Sequence, residues 1–260
     1  MHGLPWTMHL EGVHNILHSQ SHALNDPHRT ATPSPFRTHL LEVMGVMDLS
    51  CFSVGRQTSC IGIWRRYCQP ARPRQGVEPM CGLPRTLLDL FAGIGLETTE
   101  RSFWDWPGEP GTFLKHYLWE AHRLSGILTI RRYARTHRQH SRDLPGFSEW
   151  RQSSVVPADA TVLVGRILAN LDALRLGFAE RPTEDAHIKN AVLFPIFVAG
   201  IEVSVLSQNP QWQKTLRACA LGSRQDDVLF RLLDVLNQRN DPNLNVDDLA
   251  RERGIEMGLL

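Results

Sequence analysis

The sequence predicts an all-α fold, an irregular bundle of many helices forming a single domain over residues 1–260. Three observations lead there. Apolar residues recur at three- and four-residue spacing in segment after segment. Several segments open on a capping side chain or on a proline suited to the first helical turn. No series of alternating or β-branched runs bounded by hairpin turns is present, so no sheet is expected. With 260 residues, 42% of them apolar, the chain is long enough to bury a sizeable core.

Taken in order, Trp6, Leu10, Val13 and Leu17 make the first stripe and Phe36, Leu40, Val43 and Met47 the second. Between them Asn25 to Pro35 (NDPHRTATPSP) combines turn formers with few core residues, so 25–35 reads as a loop or linker. Leu83, Leu87, Leu90 and Ile94 follow at helical spacing, with Pro84 suited to the first turn and Gly93 and Gly95 near the end, the pattern of a short helix closing on glycine. Tyr117, Ala121, Leu124 and Leu128 repeat the stripe, and Thr136 to Ser154 makes a second loop or linker at 136–154. Leu163, Ile167, Leu171, Leu174 and Phe178 form the next helix.

Ala191 to Leu206 (AVLFPIFVAGIEVSVL) is the most hydrophobic stretch. It is shorter than the ~20 residues a bilayer span needs and carries Glu202, so a buried helix is expected and no membrane contact. Pro195 should kink it at its start, and Glu202 should pair with an arginine, because a lone carboxylate in a core is costly. Ile196, Val203 and Leu206 are its expected core stripe. Asn209-Pro210 should open a helix through Trp212, Leu216 and Cys219, with Asn209 as cap. Ser223 with Asp226 is a capping-box variant ahead of Leu229, Leu232, Leu233 and Leu236. Asn245 can cap the last segment, which Gly254 interrupts.

Lys and Arg total 28 against 27 Asp and Glu, a net charge of +1 that gives none of the general attraction nucleic-acid binding rests on. Any contact with DNA must be local or made by another chain. The five cysteines, Cys51, Cys60, Cys68, Cys81 and Cys219, hold no CxxC pair and fit neither a disulfide framework nor a zinc site, which points to a reducing interior. The first residues, MHGLPWTMHLEGVHNIL, lack the pattern of a secretory signal.

Candidate sites each carry two readings. His14, His18 and His22 share a helical face and could hold a metal, or could simply be surface histidines. The basic run from Arg131 to Arg142 suits phosphates, an import receptor or an acidic partner, or a solvated helix end where arginine favours the dipole. Phe103 to Gly108 (FWDWPG) could stack on a flat ligand through Trp104 and Trp106, or plug a groove between helices. No HExxH, GxSxG or P-loop is present, so no catalytic residue, cofactor-binding residue or metal ligand is assigned.

Asp89 to Gly95 (DLFAGIG) resembles the first motif of DNA cytosine methyltransferases, a strand running into a glycine loop that holds S-adenosylmethionine. The periodicity around it describes a helix instead. The strand and helix pairs such a loop works within are absent, as is a downstream Pro-Cys nucleophile.

Six stretches together resemble the fungal-specific transcription factor domain, the regulatory region of fungal binuclear zinc cluster factors. They are Trp6 to Leu17 (WTMHLEGVHNIL), Gly55 to Cys68 (GRQTSCIGIWRRYC), Gly82 to Gly95 (GLPRTLLDLFAGIG), Trp119 to Arg132 (WEAHRLSGILTIRR), Asn190 to Val203 (NAVLFPIFVAGIEV) and Leu249 to Leu260 (LARERGIEMGLL). The resemblance implies a helical, non-enzymatic module that regulates RNA polymerase II transcription in the nucleus. Its implied partners are proteins, a second copy of the chain or an intact zinc-cluster factor, with a small-molecule effector as a further role. The family's cluster is six closely spaced cysteines around two zinc ions, which the wide gaps here cannot supply, and the similarity begins within a few residues of Met1. The chain is therefore expected to be N-terminally truncated, with zinc and direct DNA contact belonging only to the missing segment.

Overall fold

A computed structural model describes residues 6–23, 34–70, 75–140, 158–181, 185–239 and 244–260. Helix dominates them: α1 (Trp6–Ala23), α2 (Pro35–Asp48), α3 (Arg85–Ala92), α4 (Glu100–Trp104), α5 (Phe113–His140), α6 (Ala160–Glu180), α7 (Leu193–Gly200), α8 (Val203–Gln208), α9 (Pro210–Ala218), α10 (Arg224–Arg239) and α11 (Val246–Glu252). The expected all-α class is what forms, with one small addition, a two-stranded antiparallel pair of β1 (Ser53–Val54) and β2 (Met257–Gly258). The chain gathers into two compact units, Met1–Arg74 with Asn245–Gly258, and Gln75–Leu244 with Leu259–Leu260.

Both expected linkers are shorter than predicted where they can be described. Ser34 caps α2 by accepting from the Arg37 N–H, and Pro35 takes the first helical position, where its missing N–H costs nothing. At the other linker α5 continues through His140, absorbing 136–140. Residues 25–33 and 141–154 lie outside the described ones.

In the first unit α2 departs from its predicted stripe. Phe36 and Met47 are exposed, whereas Met44, Gly45, Val46 and Asp48 are buried. Gly45 is the cause. A π-helical turn, Trp64–Cys68, lies directly on α2 there, and a Cβ at Gly45 would sit 3.1 Å from the Trp64 ring. A count of apolar periodicity does not register closest approach through a glycine. Leu10, Met44 and Ile63 form a small core, with Leu40, Leu41, Ile61 and Tyr67 packed against it. Val13 of the first predicted stripe is exposed, and the side chains of Trp6 and Leu17 lie outside the description.

The polar centre of this unit is Asp48, the last residue of α2. A carboxylate is disfavoured at the negative end of a helix, so it needs compensation. It accepts from the backbone N–H of Ile61 (3.0 Å), Gly62 (2.6 Å) and Ile63 (3.0 Å) and from Arg56 Nη2 (2.8 Å). Arg56 Nη1 also donates to the Asp48 carbonyl at 2.7 Å. One buried ion pair thus ties the loop 56–63 to the end of α2. Beyond it, Gly55 (φ +71) donates to Asp247 Oδ1 of α11 at 2.9 Å, and β1 pairs with β2 in the register Val54 to Met257.

In the second unit α5 and α6 run antiparallel, with Leu114 against Gly177 at one end and Glu120 paired to Arg166 nearer the middle. The α6 stripe is as predicted: Leu163, Ile167, Leu171, Leu174 and Phe178 are all buried. On α5, Ala121, Leu124 and Leu128 are buried while Tyr117 is exposed, and Leu118, Trp119, His122 and Ile127 join the core. α4, opened by a reciprocal Thr99–Ser102 capping box, presses the Phe103 ring against Gly126 of α5.

The hydrophobic stretch 191–206 is two helices instead of one. Pro195 falls in the first turn of α7, where no intrahelical N–H bond is lost, so the predicted kink does not form there. The break comes at Ile201–Glu202, where the Glu202 N–H tightens onto the Ala199 carbonyl and Glu202 leaves helical geometry (φ −83°, ψ 61°). Ile196 and Leu206 are buried and Val203 half-buried. Downstream, Pro210 opens α9 as predicted, but Asn209 does not cap it and donates instead to the Val205 carbonyl. Ser223 and Asp226 make the predicted reciprocal cap of α10, and Asn245 accepts from Asp247 N–H at the start of α11.

Candidate functional site

The glycine stretch is the first candidate. Arg85 to Ala92 is helical, and the Gly93 N–H closes it on the carbonyls of Asp89 and Leu90, each at 3.2 Å. Gly95 then turns with φ +84. A Cβ there would lie 2.8 Å from the Tyr133 ring and hydroxyl, and one on Gly93 would collide with Thr98 Oγ1. Both glycines are therefore packed against protein side chains. The buried face of α3 is Leu87, Leu88 and Phe91, with Leu83 buried just ahead of it and Leu90 and, beyond its end, Ile94 only half-buried, a rotation from the predicted stripe.

The basic run turns partly inward. Arg131 donates through Nε and Nη2 to Glu100 Oε2 at 3.0 and 2.9 Å, and Arg135 Nη2 reaches Glu202 Oε1 at 3.4 Å. Glu202 is 7% exposed, and Arg135 is the arginine partner its burial called for. Of the three histidines on α1, His14 lies 3.3 Å from the Tyr67 hydroxyl, while the side chains of His18 and His22 are outside the description. Among the described residues no group of three His, Cys, Asp or Glu is placed to hold a metal. All five cysteines are thiols. Burial raises the Cys51, Cys81 and Cys219 pKa values, Cys219 to about 11, and at Cys60 burial and the Asp48 charge act together in the same direction, so these thiols resist becoming nucleophilic thiolates.

The stretch from Phe103 to Gly108 divides between core and surface. Phe103 is fully buried as a plug, its ring 4.9 Å from that of Phe91. Trp104 and Trp106 instead line an open groove of about 400 Å³ together with Gly108, His116, Trp119, Glu120 and Arg123. The indoles are held in place by their polar edges. Trp106 Nε1 donates to Thr86 Oγ1 at 3.1 Å, and that hydroxyl donates to Glu109 Oε1 at 2.7 Å. Trp119 Nε1 donates to the Gly82 carbonyl at 2.8 Å, and the His116 ring meets Trp119 edge-on at 5.2 Å.

Arg123 organises the charged side of the groove. Its guanidinium sits 5.5 Å from the Trp104 ring centre, Nε and Nη2 fork onto Glu120 at 2.8 and 2.9 Å, and Nη1 donates to the carbonyls of Trp104 and Phe103. Glu120 Oε1 also accepts from Arg166 Nη2 at 2.8 Å. The two tryptophans of α4 and its loop were legible as a candidate. Trp119, Glu120, Arg123 and Arg166 come from two other helices, and only the i, i+3 spacing of Glu120 and Arg123 hints at their association.

A further polar group sequence reasoning missed is His122, buried one turn away between Phe194, stacked at 5.4 Å, and Phe91, edge-on at 6.3 Å. Burial lowers its pKa from 6.5 to about 4, so the imidazole is neutral in the fold. Compared with family models, with characterised proteins and with solved structures, the chain finds no match.

Proposed function

We propose that this chain is a non-catalytic helical regulator of transcription, of the kind formed by the regulatory region of fungal zinc-cluster factors, acting in the nucleus through protein contacts. The observation that carries the reading is local. Gly82 to Gly95 resembles part of this family, and within it Asp89 to Gly95 resembles a methyltransferase cofactor loop; the stretch holds the helix Arg85–Ala92, whose glycine end packs on Tyr133. A cofactor loop needs its glycines bare toward the ligand, at the edge of a parallel sheet. Two further stretches that carry the resemblance, Trp119 to Arg132 and Asn190 to Val203, supply buried residues of α5 and α7. DNA is then reached through a partner, with zinc confined to a cluster outside these residues.

Calorimetric titration of the chain with S-adenosylmethionine tests the choice: no saturable heat is expected, and micromolar binding would favour the methyltransferase. Co-purification with an intact zinc-cluster factor is the expected positive result. The isolated chain should leave that factor's DNA site unshifted at physiological salt, and a shift there would overturn the reading.

A further inference from the structure

We draw no further inference here: the strongest candidate, the apolar surface patch of α2 where exposed Phe36 and Met47 share a helical face with half-buried Leu40 and Val43, carries none because nothing in the structure shows what covers it.

Discussion

Replacing Asp48 by alanine should remove most of the margin by which the first unit stays folded. The side chain is 1% exposed and its carboxylate takes three backbone N–H groups plus Arg56 Nη2. Hydrogen bonds to a charged group contribute about 1.5–3 kcal/mol each, so four would add to about 6–12 kcal/mol, comparable with the whole stability of a domain. The sum overshoots because Arg56 keeps the carbonyls of Asp48, Thr58 and Ser59 as acceptors, and because water can reach a loosened loop. Removing one partner of a buried, hydrogen-bonded pair costs about 3–5 kcal/mol, which is the expected loss. The assay is urea unfolding combined with hydrogen exchange at single amides. Ile61, Gly62 and Ile63 should lose protection ahead of the rest of the unit. Asp48→Asn keeps one acceptor and should fall between the two, while Asp48→Leu combined with Arg56→Met should recover part of the loss by removing both charges together. A change within about 1 kcal/mol for Asp48→Ala, with the three amides still protected, would refute the reasoning.

Two further outcomes are expected. The folded chain refuses at His122 a proton that the unfolded chain accepts at pH 6.5, so stability should be level above that value and fall as pH drops toward about 4. The total is about 3 kcal/mol at about 1.36 kcal/mol per pKa unit, and His122→Phe should flatten that window in urea titrations; an unaltered slope would count against it. Gly95→Ala forces a Cβ at φ +84 into the Tyr133 ring and should destabilise by about 1–3 kcal/mol, read as a lowered melting temperature. An unchanged melting temperature would mean that the glycine turn is not packed as described.

What was legible in the sequence depended on how regular each helix is. The α6 stripe from Leu163 to Phe178 could be read directly because that helix buries one continuous face. The predicted α2 stripe failed because its buried face is chosen by Trp64 lying on Gly45 and by the loop bound to Asp48, contacts made 13 to 19 residues downstream. The single helix drawn through 191–206 failed because its hydrophobic pattern is continuous across the break. Only Gly200, where a side chain would strike Leu233 of α10, marks how close the neighbouring helix comes. At the groove the tryptophan pair stood out, whereas the arginine and carboxylate partners depend on α5 and α6 lying side by side. Ser223, Asp226 and Asn245 were legible as caps because they act within their own turn, whereas Asn209 turns back to the Val205 carbonyl of the preceding helix.

The pairing of Val54 with Met257, and of Gly55 with an aspartate 192 positions later, bears on how the protein is made. A ribosome adding about 5–20 residues per second leaves the early segment waiting roughly 10–40 s for those mates. Throughout that interval the small cluster of Leu10, Met44 and Ile63 lacks the ribbon that closes its unit.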